Sequence, residues 1–305
     1  MDASGLLAVF QRSVKNYSVC YTEFLGDGDS KGHKLIVQEA VYGDKDVMKL
    51  ECVGHVQKRL GSCLRSLKKR PGQTRLDDGK PIGGAGRLTN NTIDKLQVYY
   101  GRAIRNNTHN IQDMENAVMA IWHHSQSTDD SPDHNLCPNG EDSWCGYQKD
   151  LALGTSDYHH SHPLPRAVAD AIHETFEDLS DRNLLTCCLH GGTQNQNEAI
   201  NALIWQRATK ETHSGLNTVE LAVFLAVSHF NDGAVSISLV LQKLGINPGV
   251  HCKNACKKLD HNRLRHSHTK SAEHSKKRRQ IRNFKKGYTE TLEVLEGPHY
   301  EAGAF

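Results

Sequence analysis

Tyr17-Ser18-Val19-Cys20-Tyr21-Thr22-Glu23-Phe24-Leu25, followed by Gly26-Asp27-Gly28-Asp29-Ser30, is the stretch on which the fold turns. Its first part is rich in β-branched and aromatic residues and predicts a strand. Gly26 and Gly28 then permit a sharp turn, so Asp27 and Asp29 would emerge at the end of that strand. Upstream, Leu6, Leu7, Val9 and Phe10 predict a short amphipathic helix. Downstream, Ser30 opens a helix through about Ala40 with Leu35, Ile36 and Ala40 on one face, and Val47 to Cys52 predicts a second strand. Helix, strand, helix, strand in this order fits a parallel pair joined by a helical crossover.

Beyond the pair the sequence turns helical. His55 to Lys69 predicts a basic helix, Pro71 to Gly86 a Gly-rich loop, and Thr89 to Arg105 and Ile111 to Gln126 two further helices. Residues 127–163 carry Pro, Gly, Asp and His with little periodicity and predict a loop. Leu164, Val168, Ile172, Phe176 and Leu179 follow at helical spacing, and Glu198 to Arg207 and Val219 to Asn231 predict two more helices. The expected class is α/β, mostly helical.

With 305 residues and 37% hydrophobic content, the chain can bury one large core or two small ones. No apolar run approaches a membrane span and the N-terminus lacks a basic signal region, so a soluble intracellular protein with no membrane partner is expected. Nine cysteines in such a chain point to thiols or metal ligands rather than disulfides. The net charge of +2 is unevenly spread. Residues 257–286 hold twelve Lys and Arg against Asp260 and Glu273, a net of +10 that leaves −8 elsewhere. Such a run is a footprint for phosphate backbones or for nuclear import, sharpest at Lys276-Lys277-Arg278-Arg279; its plainer reading is a solvated, partly helical tail.

Asp27 and Asp29 suit a hard-cation site, although Gly-Asp-Gly-Asp is also ordinary turn chemistry. Glu198 follows Asn195 at capping-box spacing, and that role is compatible with ligation. Cys52 and His55 form a Cys-x2-His pair after the second strand. Two ligands cannot close a tetrahedral site, so a structural Zn2+ would need others. Cys137, Cys145, Cys188 and His190 are the candidates, with His134, His159, His160 and His162 nearby in sequence and Cys252 and Cys256 weaker. The competing reading is buried free thiols and surface histidines.

Taken in order, the acidic turn, the Cys-x2-His pair and Asn195-Gln196-Asn197-Glu198-Ala199-Ile200-Asn201 resemble the core of Mutator-like transposases. In the last motif Asn195, Glu198 and Asn201 match, while Ala199 and Ile200 replace the family's Ser and Phe. The resemblance implies a DDE enzyme with a ribonuclease-H-like fold that cleaves and joins DNA strands with Mg2+ or Mn2+. Asp27, or alternatively Asp29, would be the second acid and Glu198 the third. The first acid and its strand have no counterpart from residue 5 onward, so the chain reads as such a transposase lacking its N-terminal part and impaired alone. The implied layout is a partial ribonuclease-H-like core at 1–55, a long helical insertion at 56–190, core helices bearing the glutamate at 191–250 and a basic C-terminal tail at 251–305. DNA would be the partner of the insertion and tail, the nucleus the location, and homo-oligomerisation an open expectation. The alternatives are a non-catalytic transposase-derived DNA-binding protein and a zinc-stabilised interaction module.

Overall fold

The computed structural model describes residues 3–26, 31–70, 75–272, 274, 275, 278 and 282. It is mostly helical with one small sheet, and it divides into two units, 1–194 and 195–305.

The first unit begins with α1 (Ala3–Tyr17), β1 (Glu23–Gly26), α2 (Lys31–Gln38) and β2 (Met48–Glu51). The strands pair in parallel, Leu25 opposite Leu50 and Gly26 opposite Glu51, as the crossover pattern predicts. β1 is shorter than the sequence suggests. α1 runs on to Tyr17, Ser18 then takes a positive φ of 55° that breaks the helix, and pairing starts only at Glu23. Phe10, Ile36 and Val47 form a small core under the pair, with the rings of Phe10 and Tyr21 edge to face at 5.5 Å.

The larger core lies among α3 (Val53–Lys69), α4 (Asn90–Asn106), α5 (Ile111–Gln126) and α7 (Arg166–Leu179). Each helix buries residues three and four apart: Val56, Leu60, Leu64 and Leu67 on α3, Ile93, Leu96, Tyr100 and Ile104 on α4, Met114, Val118 and Ile121 on α5, and Val168, Ile172, Phe176 and Leu179 on α7. That spacing keeps one stripe facing the core, and burying such side chains stabilises each by about 1.5–3 kcal/mol. Two buried hydrogen bonds tie α7 to its neighbours. Tyr100 Oη donates to Leu179 O at 2.8 Å, and Trp122 Nε1 donates to Ala169 O at 2.8 Å. Thr89 caps α4 by accepting from Thr92 N at 3.1 Å, and Asn110 caps α5 by accepting from Gln112 N at 2.9 Å.

Between α5 and α7 the expected loop holds a helix, α6 (Gly146–Leu153), which Gly154 ends in the left-handed conformation at φ 68°. The unit finishes with α8 (Arg182–Thr186), whose chain returns to the strand ends: Glu51 N donates to Cys187 O at 2.9 Å and Val53 N to Gly192 O at 3.2 Å.

The second unit comprises α9 (Asn195–Trp205), α10 (Leu216–Asp232), α11 (Val235–Lys243) and α12 (Val250–Ser271). Asp260 of α12 accepts from Ala234 N at 2.7 Å and Val235 N at 3.1 Å, so its carboxylate satisfies the first free amides of α11. Among the described residues no helix is long and apolar enough to cross a membrane.

Candidate metal centre

His124 sits in the last turn of α5, and the chain leaving that helix supplies His134, Cys137 and Cys145 before entering α6. One ligand atom from each lies within 4.8 Å of all the others. His124 Nδ1 and His134 Nδ1 are 3.1 Å apart. Cys137 Sγ stands 3.8 Å from His124 Nδ1 and 3.7 Å from His134 Nδ1, and Cys145 Sγ stands 3.7 and 3.4 Å from the same atoms. A zinc ion bound at about 2.3 Å from sulfur and 2.0–2.1 Å from nitrogen places its tetrahedral ligands on edges of about 3.3–3.8 Å. The donor set and its spacing therefore fit Zn2+, with two thiolates balancing the charge.

Burial supports that chemistry. Cys137, Cys145 and His134 are buried, and Cys137 and Cys145 pack on Ala120, Leu136 and Tyr147. Burial pushes the His134 ring below the ordinary imidazole range, which keeps it neutral as a ligand must be. The hydrogen bond from the Cys137 thiol, with His124 beside it, holds the Cys145 thiol well below the usual range. Cys137 keeps the shared proton and is pushed up for the same reason. Metal binding would displace that proton.

The His134 ring nitrogen facing away from the cluster is also held. His134 Nε2 lies 2.9 Å from Ser127 Oγ and 2.8 Å from His160 Nε2. His160 Nδ1 pairs with Asp129 Oδ1 at 2.5 Å, and Asp133 N donates to Ser127 Oγ at 2.8 Å. The His134 ring stacks on Tyr147 with centroids 4.4 Å apart. A carboxylate, a histidine and a hydroxyl thus fix the orientation of one ligand.

Of the residues named in the sequence, Cys137 and Cys145 belong to this cluster, together with His134, which is named there as their neighbour. His124 was not singled out: it falls on a well-formed helix, and the irregular spacing from His124 to Cys145 matches no familiar ribbon. Cys52, His55, Cys188 and His190 lie together at the strand ends instead, and among the described residues they form no group with three converging ligand atoms. His190 Nε2 lies 3.0 Å from Glu51 O, and Cys52 Sγ accepts from Gln194 N at 3.3 Å. Burial pushes the Cys188 thiol up to about 12, so it stays protonated. His55 Nδ1 is buried without a partner.

Asp27, Asp29, Lys276, Lys277 and Arg279 lie outside the described residues. Arg278 is exposed, and Glu198 is exposed in the first turn of α9. β1 and β2 end side by side at Gly26 and Glu51, and Gln194 donates through Nε2 to Leu25 O at 2.8 Å. Glu51 is buried between Lys49 at 2.8 Å and Arg59 at 2.7 Å, an ion-paired role that occupies both its oxygens.

A parallel strand pair, a helical core and a compact Cys2His2 cluster able to hold a metal ion define a mostly helical protein with a candidate metal centre. Residues 1–145 match the model of the Mutator family, described as Mutator-like transposase, so this part of the chain is similar to that family. No curated protein and no solved structure matches the chain.

Proposed function

We propose that this chain is a transposase-related DNA-binding protein built on a ribonuclease-H-like strand pair. Asp27 or Asp29 and Glu198 correspond to divalent-cation ligands of the Mutator-like DDE nucleases. The observation that supports this reading is the parallel pairing of β1 and β2, whose carboxyl ends lie side by side at Gly26 and Glu51. In sheets of parallel strands, sites form at the carboxyl ends. Here the acidic turn follows β1 in sequence and the Cys52-x2-His55 pair follows β2, the order in which the resemblance places them. Phosphoryl transfer through two cations needs a convergent set of carboxylates, and these residues account for two positions of three. DNA binding with metal-dependent strand cleavage is therefore the reading put to the test. The Cys2His2 cluster is structural in this view, since its four donors leave no open coordination position. The Lys276–Arg279 run would serve DNA contact or nuclear import.

The test uses the purified chain, labelled duplex DNA and Mn2+ or chelator. Binding that weakens steeply with salt is expected, with any Mn2+-dependent cleavage lost in Asp27→Asn and Glu198→Gln. Absence of duplex binding at low salt overturns the DNA reading and favours an interaction module. Cleavage that survives Asp27→Asn, Asp29→Asn and Glu198→Gln overturns the carboxylate assignment.

A further inference from the structure

A cleft of about 470 Å³ opens beside the metal cluster, between the start of α4, the end of α5 and the loop carrying Trp144. Its size falls within the range that holds a small organic ligand. Three features of its wall point to a nucleotide unit.

The first is aromatic. Trp144 is 53% exposed and Tyr99 45% exposed, and both line the cleft. Trp144 is not a loosely placed surface residue. It immediately precedes Cys145, and its ring packs edge to face on His124, centroids 5.1 Å apart, so the metal cluster fixes it from two sides. A rigid exposed indole offers a stacking surface at little entropic cost, and every nucleobase has a face to match.

The second is cationic. Lys95 stands one turn before Tyr99 on α4, and Arg87 lines the cleft just ahead of the helix. Arg87 is 7% exposed and makes a two-pronged ion pair with Asp78 through Nη1 and Nη2, while its buried Nε has no partner. A buried donor of this kind seeks an acceptor, because its desolvation is otherwise uncompensated. The third is the N-terminus of α4 itself, where Thr92 faces the cleft and the first-turn amides carry the positive end of a 17-residue helix. Cation, helix terminus and unpartnered donor converge on one chemistry, that of a phosphate oxygen.

We infer that this cleft binds an unpaired nucleotide of a DNA strand, its base stacked on Trp144 and Tyr99 and its phosphate held by Arg87, Lys95 and the start of α4. The inference rests on the DNA reading above and adds a single-strand subsite to it. A base inside a duplex cannot present its face to these rings, so the cleft selects strands that are open or frayed.

Fluorescence anisotropy with a labelled oligothymidylate and with a duplex of equal length tests this on the full zinc-loaded chain. Trp144→Ala and Tyr99→Ala should each weaken single-strand binding about tenfold and leave duplex binding within about twofold. Lys95→Ala should flatten the single-strand salt slope by about 0.7. Bound zinc and circular dichroism are measured for each variant. If Trp144→Ala loses zinc, Tyr99→Ala, remote from the ligands in sequence, decides. Unchanged single-strand affinity in Tyr99→Ala, or equal loss on both DNA forms, overturns the cleft while leaving the DNA reading standing. Thymidine monophosphate competing as well as the oligonucleotide would also overturn it, in favour of a free nucleotide. A wild-type chain that binds neither DNA form fails the parent reading instead.

Discussion

His124 Nδ1 and His134 Nδ1 face one another at 3.1 Å, one from the last turn of a core helix and the other from the loop beyond it. Both have the edge nitrogen turned toward two buried thiols. This pair connects the helical core to an otherwise irregular segment, and it sets the terms for most of what the molecule should do in solution.

Purified protein should hold one zinc per chain. At a metal concentration a thousandfold above Kd, binding contributes about 4 kcal/mol, which for a unit of this size shifts Tm by about 8–16 °C. Chelation, or Cys145→Ser, should lower Tm accordingly in differential scanning fluorimetry. Metal analysis that finds no zinc, together with a Tm indifferent to chelator, would reject the centre.

The residues behind His134 should tune the metal without touching it. Ser127→Ala and Asp129→Asn remove the hydroxyl and the carboxylate that orient His134 and His160. Each should weaken zinc affinity by about 10- to 100-fold in a competition titration with a chromogenic chelator. Both variants matching wild type would show that the ring is positioned by packing on Tyr147 instead.

Acid should destabilise the first unit. Burial holds the folded-state pKa of His134 below its ordinary value of about 6.5, so the unfolded chain binds more protons in that window. The stabilisation is therefore full above about pH 6.5 and is lost as pH falls toward the folded-state pKa. Proton competition at the thiolates and imidazoles acts in the same direction. Melting curves at stepwise lower pH should show Tm and zinc content falling together; a Tm that rose on acidification would contradict the sign.

Tyr100→Phe leaves the buried Leu179 carbonyl without its donor. The cost should be about 1–3 kcal/mol in denaturant unfolding, with the slope unchanged. A variant as stable as wild type would mean water reaches that carbonyl.

The basic run should govern salt dependence on duplex DNA. Replacing Lys276, Lys277, Arg278 and Arg279 by Ala should flatten the log–log slope by up to about four units of 0.9 each. If the slope stays constant while a fluorescent fusion moves from nucleus to cytoplasm, the run serves import alone.

What the sequence determined by itself was local. The helices α3, α4, α5 and α7 follow from residues within a turn or two of one another, and the parallel crossover from Leu25 to Leu50 follows from the order helix, strand, helix, strand. Local reading also erred locally. Ser18 ended a helix inside an expected strand, and α6 formed where Pro, Gly and Asp suggested only loop. The metal centre was half legible: Cys137 and Cys145 stand out as cysteines in a polar loop, but nothing in spacing alone chooses among nine cysteines and nineteen histidines. Tertiary structure made that choice. Packing α5 against α7 fixes where its last turn ends, and that brings His124 to the loop residues while Cys52 and Cys188 are drawn to the strand ends. Ligation would depend on distances of a few ångströms between residues up to 21 positions apart across an irregular loop, and those distances exist only once the core has closed.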